Sequence, residues 1–394
     1  MPLANGRHFL SIPGPSVMPD EVLRAMHRPA TNIYEGALIE MTHGIVPDLK
    51  RVARTESRAM TFIGNGHAVW EAVIVNTLDA GEKALVLESG RFAVGWGEVA
   101  KALGVEIEVL NAPDRGGVDP QMVEDRLRTD TKHEIKAVLV VQIDTASGVW
   151  NDIAAIRRAI DAAGHPALYM VDCMASIGCV PYEMDAWGVD VTTAGSQKGL
   201  MTPPGLGFAW ASQKAWDKTK TLTRGRAHWA WELRAEPEVF YQLFHGTAPV
   251  QHLYALRQAL DMIFAEGLEA VWARHAAIGR GVRAAVSRWG ENGPLELNIL
   301  DPDACSDSVT TIRTGAIDAQ ALRACTETKL NVTLGTGLGE LQGITFRIGH
   351  MGHVNAPMIL GTLGSIELAL AHMGAPYAPG GVEAAIAAMK DDVA

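Results

Sequence analysis

In the stretch TTAGSQKGLMTPPG (Thr192–Gly205), Lys198 stands between a Gly-Ser-Gln turn and a Pro-Pro-Gly turn, directly after the β-branched run Val189–Thr193. Most lysines in turns are solvated surface residues. This one follows a strand of the buried type, in a loop at its carboxyl end, which is where α/β proteins bind their ligands. Desolvated there, its amine has a lowered pKa and can condense with an aldehyde to a Schiff base. The second candidate is Asp172, which closes the apolar run ALYMVD (Ala167–Asp172). Taken alone it is equally a helix cap or a turn former, but a buried carboxylate demands a cation or a donor.

An aspartate ending one strand and a lysine just beyond the next suit pyridoxal phosphate. The carboxylate takes the ring nitrogen, the amine takes the aldehyde carbon, and protonation of that nitrogen makes the ring an electron sink. A third candidate is Gly64-Asn65-Gly66-His67-Ala68, between strand-like Met60–Ile63 and a helix through Trp70–Val73. Small residues at a helix start leave backbone N–H groups for a phosphate. By themselves these residues read as an ordinary strand-to-helix turn and a structural histidine. Beside Lys198 and Asp172 they read as a phosphate cradle.

The elements that must hold these groups are visible in the pattern. Near-continuous apolar runs at Glu82–Glu88, Lys136–Val141, Ala167–Asp172 and Val189–Thr193 predict parallel strands covered on both faces. Helical patterns at Arg91–Leu103, Pro120–Arg128 and Ile153–Ala163 alternate with them. This order predicts an α/β fold with a mostly parallel, doubly wound sheet in a large domain, 1–260, that includes the N-terminal segment. After residue 260 the texture changes to a long helix at Leu268–Trp289, apolar runs at Leu295–Leu300 and Ser308–Arg313, an amphipathic segment at Asp318–Thr328, a strand at Ile344–Ile348 and a final helix. That predicts a smaller C-terminal α+β domain, 261–394.

Composition narrows the partners. A chain of 394 residues with net charge −11 lacks the clustered Lys and Arg that a nucleic-acid footprint needs, so the expected partners are small molecules and another subunit. The four cysteines, Cys173, Cys179, Cys305 and Cys325, have no CxxC spacing, which favours reduced thiols and a cytoplasmic compartment. The N-terminus has no apolar core of signal-peptide length, and the run Pro357–Ala375, interrupted by Ser365, Glu367 and His372, reads as a buried helix rather than a membrane span.

The combination resembles the class V aminotransferases of pyridoxal-phosphate fold type I, and within them the serine-glyoxylate and alanine-glyoxylate aminotransferases. The likeness runs from IPGPSVMPDEVLRAM through DTASG, VDCMAS, AGSQKGLMTPPGLGF and EGLEAVWARH to FRIGHMG. By position it implies Lys198 as the Schiff-base lysine and Asp172 as partner of the pyridine nitrogen. It implies Asn65, Gly66, His67 and Gln197 at the phosphate, Phe92 stacked on the ring, and Thr145 near the ring's phenolic oxygen. Arg347 matches the arginine that grips the substrate carboxylate, a role suited to a planar guanidinium fork. The resemblance also implies a homodimer, or a dimer of dimers, in which Thr247 completes the phosphate site of the neighbouring subunit. The expected reaction is a ping-pong transamination from a small amino acid of the serine or alanine type to a small 2-oxo acid, glyoxylate foremost, with Lys198 as both covalent anchor and general acid/base.

Two departures stand out. Phe244 occupies a position where the family has Tyr or His, so one phosphate contact across the interface lacks its phenol. Thr31-Asn32-Ile33-Tyr34-Glu35-Gly36 replaces a His-Arg-Ser-like stretch, placing Tyr34 where it affects donor choice. The alternative is an enzyme like pyridoxamine-pyruvate aminotransferase, which uses a free B6 vitamer. Asn65 and Leu338, however, stand where that enzyme has a glutamate and an additional arginine. A cysteine desulfurase would need a mobile cysteine loop, whereas Cys325 falls in a helical pattern. A cofactor-sensing regulator would carry a DNA-binding extension. His350 and His353 have ligand-like spacing but no further ligand in sequence reach, so no metal is expected.

Overall fold

The computed structural model describes residues 3–393. Its strands, in chain order, begin with β1 (Phe9–Ser11), β2 (Arg58–Gly64), β3 (Lys83–Glu88), β4 (Glu106–Asn111) and β5 (Ile135–Val141). They continue with the short pair β6 (Ile143–Asp144) and β7 (Val149–Trp150), then β8 (Leu168–Asp172), β9 (Val191–Gly195) and β10 (Gly205–Ala211). The last four are β11 (Glu296–Leu297), β12 (Val309–Arg313), β13 (Val332–Thr336) and β14 (Thr345–Gly349).

Seven of these strands form the large sheet in the order β2-β10-β9-β8-β5-β3-β4. Only β10 runs against its neighbours. The apolar runs are continuous because each strand feeds two cores. Leu85, Leu87, Val138, Val140, Tyr169 and Val171 point into one buried cluster, and Ala84, Val86, Ala137, Leu139 and Met170 into the other. This period of two is what a sheet covered on both faces requires.

The structure differs from the pattern at several places. The strand expected at Val189–Thr193 runs two residues later, as Val191–Gly195, and just before it Asp190 bonds Tyr169 and Ser212 through both its backbone and its carboxylate. β4 escaped notice because its EIEVLN sequence alternates as an edge strand does. β10 escaped because Gly205 and Gly207 interrupt it. Gly207 has to be glycine, since a Cβ there would lie 2.0 Å from Val69 Cγ2.

The second sheet, β1-β13-β14-β12-β11, is mixed. It packs against the Leu268–Gly290 helix and a core of Val282, Trp289, Phe346, Ile348, Leu363 and Ile366. The Leu295–Leu300 run supplies only the two-residue β11, and the final helical region is two helices, Ala356–His372 and Gly381–Met389. β1 pairs with β13 in parallel, so the N-terminal segment joins the second sheet before the chain builds the first. No helix among the described residues is long and apolar enough to cross a membrane.

Candidate active site

Lys198 sits in the turn that follows β9. Its side chain is half-buried, and its amine donates to the Pro13 carbonyl. The N-terminal segment is clamped over it: Ser16 N donates to Gln197 O at 2.9 Å, and the Ser16 hydroxyl donates to Lys198 O at 2.7 Å. Gly14 is required here, since a Cβ would lie 2.5 Å from both Cδ and Nζ of Lys198. Burial, reinforced by the Arg347 guanidinium, pushes the Lys198 amine down to about 8, and Asp172 draws it partly back. A substantial neutral fraction near neutrality is what a nucleophilic amine needs.

Asp172 closes β8, in register with Val141 on one side and Thr193 on the other. Its carboxylate is 1% exposed and accepts one hydrogen bond on each oxygen, from Trp70 Nε1 at 2.7 Å and from Met174 N at 2.6 Å. Burial pushes its pKa up to about 7, against the pull of these two donors and of Lys198.

The glycine turn behaves differently from its sequence reading. Asn65 is the N-cap of the Gly66–Thr77 helix, and its side chain accepts from His67 N at 3.1 Å and Ala68 N at 3.4 Å. Two of the N–H groups expected to face a phosphate are thus held by the cap. Beside this turn, the Gln197 side-chain oxygen is buried without a partner among the described residues. Met174 fills the space between Gly66 and Gly195, where added Cβ atoms would lie 3.1 Å and 2.9 Å from its sulfur.

Asp144 organises the opposite wall. Its carboxylate accepts from Phe92 N at 2.7 Å, Ala93 N at 3.2 Å and Ala146 N at 2.8 Å, which ties the start of the Arg91–Ala102 helix to the DTASG loop. Phe92 is half-buried, its ring 6.4 Å from that of Trp70. Thr145 is buried, and its carbonyl accepts from Arg347 Nη1 at 2.7 Å. Arg347 lies mid-strand in β14, opposite Thr311 and Gly335, and its Nε donates to Thr336 O at 2.6 Å. It is 7% exposed and has only carbonyls as acceptors, so burial pushes its pKa down to about 10. A buried guanidinium without a carboxylate partner is an anion site in waiting.

Thr247 and Tyr34 stand apart from this cluster. Thr247 is exposed, and Tyr34 is 85% exposed with its N–H on the Asn32 side-chain oxygen at 2.9 Å. Phe244 turns inward, 2% exposed, against Phe240. Both ring nitrogens of His350 are engaged, by Thr310 Oγ1 and the Asp307 carbonyl at 2.9 Å each. Sequence reasoning passed over Trp70, Asp144 and the Pro13 carbonyl. Asp144 was visible in DTASG, but nothing in an apolar helix marked Trp70 as a donor.

A pyridoxal group fits the residues present: a neutral-capable lysine, a buried carboxylate with one donor on each oxygen and lone pairs to spare, and a Gln197 side-chain amide whose oxygen has no partner among the described residues. On a doubly wound sheet these define a fold-type-I pyridoxal-phosphate enzyme. Residues 9–351 match the family model "Aminotransferase class-V", and the chain belongs to that family. It is 38% identical to a serine–glyoxylate aminotransferase of Methylorubrum extorquens, with 98% of this chain and 97% of the relative covered. It is 37% identical to an L-aspartate–glyoxylate aminotransferase of Paracoccus denitrificans, covering 95% and 94%. The crystal structure of pyridoxamine-pyruvate aminotransferase from Mesorhizobium loti superposes with a TM-score of 0.89 at 28% identity, covering all of both chains. The protein is a pyridoxal-phosphate-dependent transaminase acting on small amino and 2-oxo acids.

Proposed function

We propose that the enzyme transfers the amino group of a serine- or alanine-type donor to glyoxylate, in a homodimer, with Lys198 as the covalent anchor of the cofactor. The observation that carries the reading is Arg347, a buried cation held by two carbonyls, near enough to Lys198 for its charge to lower that amine's pKa, and without a carboxylate partner among the described residues. The 2-oxo acid and the amino acid both bring the α-carboxylate that completes it.

Pyridoxal phosphate, when bound, supplies an electrophilic carbon and a ring that withdraws electrons from the substrate's α-carbon. The chain's residues do the rest. Asp172 holds a proton on the ring nitrogen, for which its ionised form is needed. Phe92 and the Asp144-tethered loop fix the ring's plane and Thr145 beside it. Arg347 would orient the substrate so that its α-carbon faces the Lys198 amine, which removes the α-proton of the amino donor in the first half of the reaction and delivers a proton to the α-carbon of the oxo acid in the second. Asn65, Gly66, His67 and Gln197 are assigned to the phosphate. Thr247 and Tyr34, exposed in the single chain, are assigned to the neighbouring subunit's site, Thr247 at the phosphate and Tyr34 at the donor side chain.

We assign a large domain, 1–260, around the first sheet and a smaller one, 261–394, around the second; β1 crosses that division to pair with β13, and the two long helices near it meet at Gly267 with φ 93°. The buried, unpaired cysteines accord with a cytoplasmic setting.

The test is a half-reaction screen. L-Serine, L-alanine and L-aspartate are each added to holoenzyme while the visible absorbance of the bound cofactor is followed, and glyoxylate or pyruvate is then added. Bleaching by serine or alanine with recovery by glyoxylate is expected; bleaching by neither overturns the reading. The close superposition on pyridoxamine-pyruvate aminotransferase motivates a second reading, in which a free vitamer is substrate. Cofactor lost on dialysis would favour it, and cofactor retained would exclude it.

A further inference from the structure

Trp70 lies in the AVWEAVIV run of the Gly66–Thr77 helix and is 2% exposed. Its ring is stacked 6.1 Å from Trp96, meets Phe92 edge-on at 6.4 Å and lies 4.7 Å from His67. Packing alone would account for a tryptophan there. It does not account for the indole N–H, which donates to Asp172 Oδ2 at 2.7 Å. In the same protein the indole nitrogens of Trp96, Trp210 and Trp231 are buried with no partner among the described residues. A buried indole in this protein therefore need not be bonded, and where one is, as at Trp70 and Trp289, its acceptor is a carboxylate.

Asp172, at the end of β8, is repelled by the charge of Asp144 and attracted by that of Lys198, while burial pushes the neighbouring Cys173 thiol well up and so keeps it neutral. His67 touches the far side of the indole. Only two donors reach the carboxylate, one on each oxygen: Met174 N and Trp70 Nε1. The backbone donor is fixed by the turn, so among the described residues the indole is the one side chain that donates a hydrogen bond to the ionised form, to which Lys198 adds only its charge. Hydrogen bonds to a charged group are about twice as strong as neutral ones.

We propose that Trp70 is a positioning residue for transamination, whose N–H holds the Asp172 carboxylate ionised and fixed in plane while its ring links that carboxylate to the Phe92 and His67 walls. The proposal rests on Asp172 as partner of the ring nitrogen, but its first test does not depend on that role. In 15N-labelled apoprotein, Trp70→Phe identifies one indole resonance among those of ten tryptophans. This resonance should shift with a midpoint near neutral pH and become pH-silent in Asp172→Asn. A signal unmoved between pH 5 and 9 in the wild-type apoprotein overturns the proposal. If Trp70→Phe does not fold, Asp172→Asn alone identifies the signal.

The second test is pyridoxal-phosphate affinity of Trp70→Phe against pH. Loss of the donor favours neutral Asp172 and raises its pKa, so affinity should fall about tenfold or more at pH 7 and recover toward wild type at pH 9, where the carboxylate is ionised either way. An equal loss at both pH values means packing alone and overturns the proposal.

Discussion

Asp144, which ends the short strand β6, and Asp172, which ends β8 of the large sheet, are two buried carboxylates that the protein surrounds differently. Asp144 accepts three backbone N–H groups, from both the Arg91–Ala102 helix and its own loop, and Gly90 is held against it so closely that a Cβ would lie 2.4 Å from its carboxyl carbon. Asp172 accepts one backbone and one indole N–H, and it shares its surroundings with a lysine. A carboxylate tied to three main-chain donors is structural: its lone pairs are committed to the backbone, even though burial outweighs those donors and pushes its pKa up. One with fewer donors, beside an amine whose pKa burial has lowered, keeps its bonding capacity for chemistry.

The largest expected effects test the chemical member of the pair. Lys198→Ala should abolish the visible band of the bound cofactor and lower turnover by roughly 10⁴-fold, measured by absorbance and steady-state assay; survival of the band would remove Lys198 from its assigned place. Asp172→Asn should lower kcat by about 10²-fold or more with little change in melting temperature. Asp144→Asn should do the reverse, costing about 1–3 kcal/mol of stability in denaturant unfolding while the kcat loss stays near tenfold. If the two variants behaved alike, the distinction between them would fail.

Smaller effects sharpen it. Arg347→Lys keeps the charge but loses the fork, and should raise KM for the oxo acid more than it lowers kcat, by roughly tenfold. The smallest effect is on pH dependence. Because the folded pKa of Asp172 lies above its unfolded value, the native apoprotein binds the extra proton, and this group's contribution to stability is full at low pH and declines as pH rises through about 7. Denaturant unfolding of wild-type and Asp172→Asn apoprotein between pH 4 and 8 should show that decline only in the wild type.

Much of this was legible in the sequence for a physical reason. Strands covered on both faces must be apolar at every position, so β3, β5 and β8 announced themselves and their ends located Asp172 and Lys198. β10 did not, because Gly205 and Gly207 answer to side chains from distant elements. For the same reason Trp70 was hidden: an indole in an apolar helix looks alike whether its N–H is bonded or idle, and the bond spans residues 70 and 172. The Asn65 turn was legible as a helix start, but not the fact that Asn65 uses two of that helix's free N–H groups. Arg347 was found through its motif, whereas its carbonyl partners, Thr336 and Thr145, come together only in three dimensions.

The strand β1 belongs to the second sheet, yet Pro13, two residues past its end, accepts from the Lys198 amine beside the first. The chain's opening residues thus act as a drawbar between the two halves, tying the lysine beside one sheet to a strand of the other.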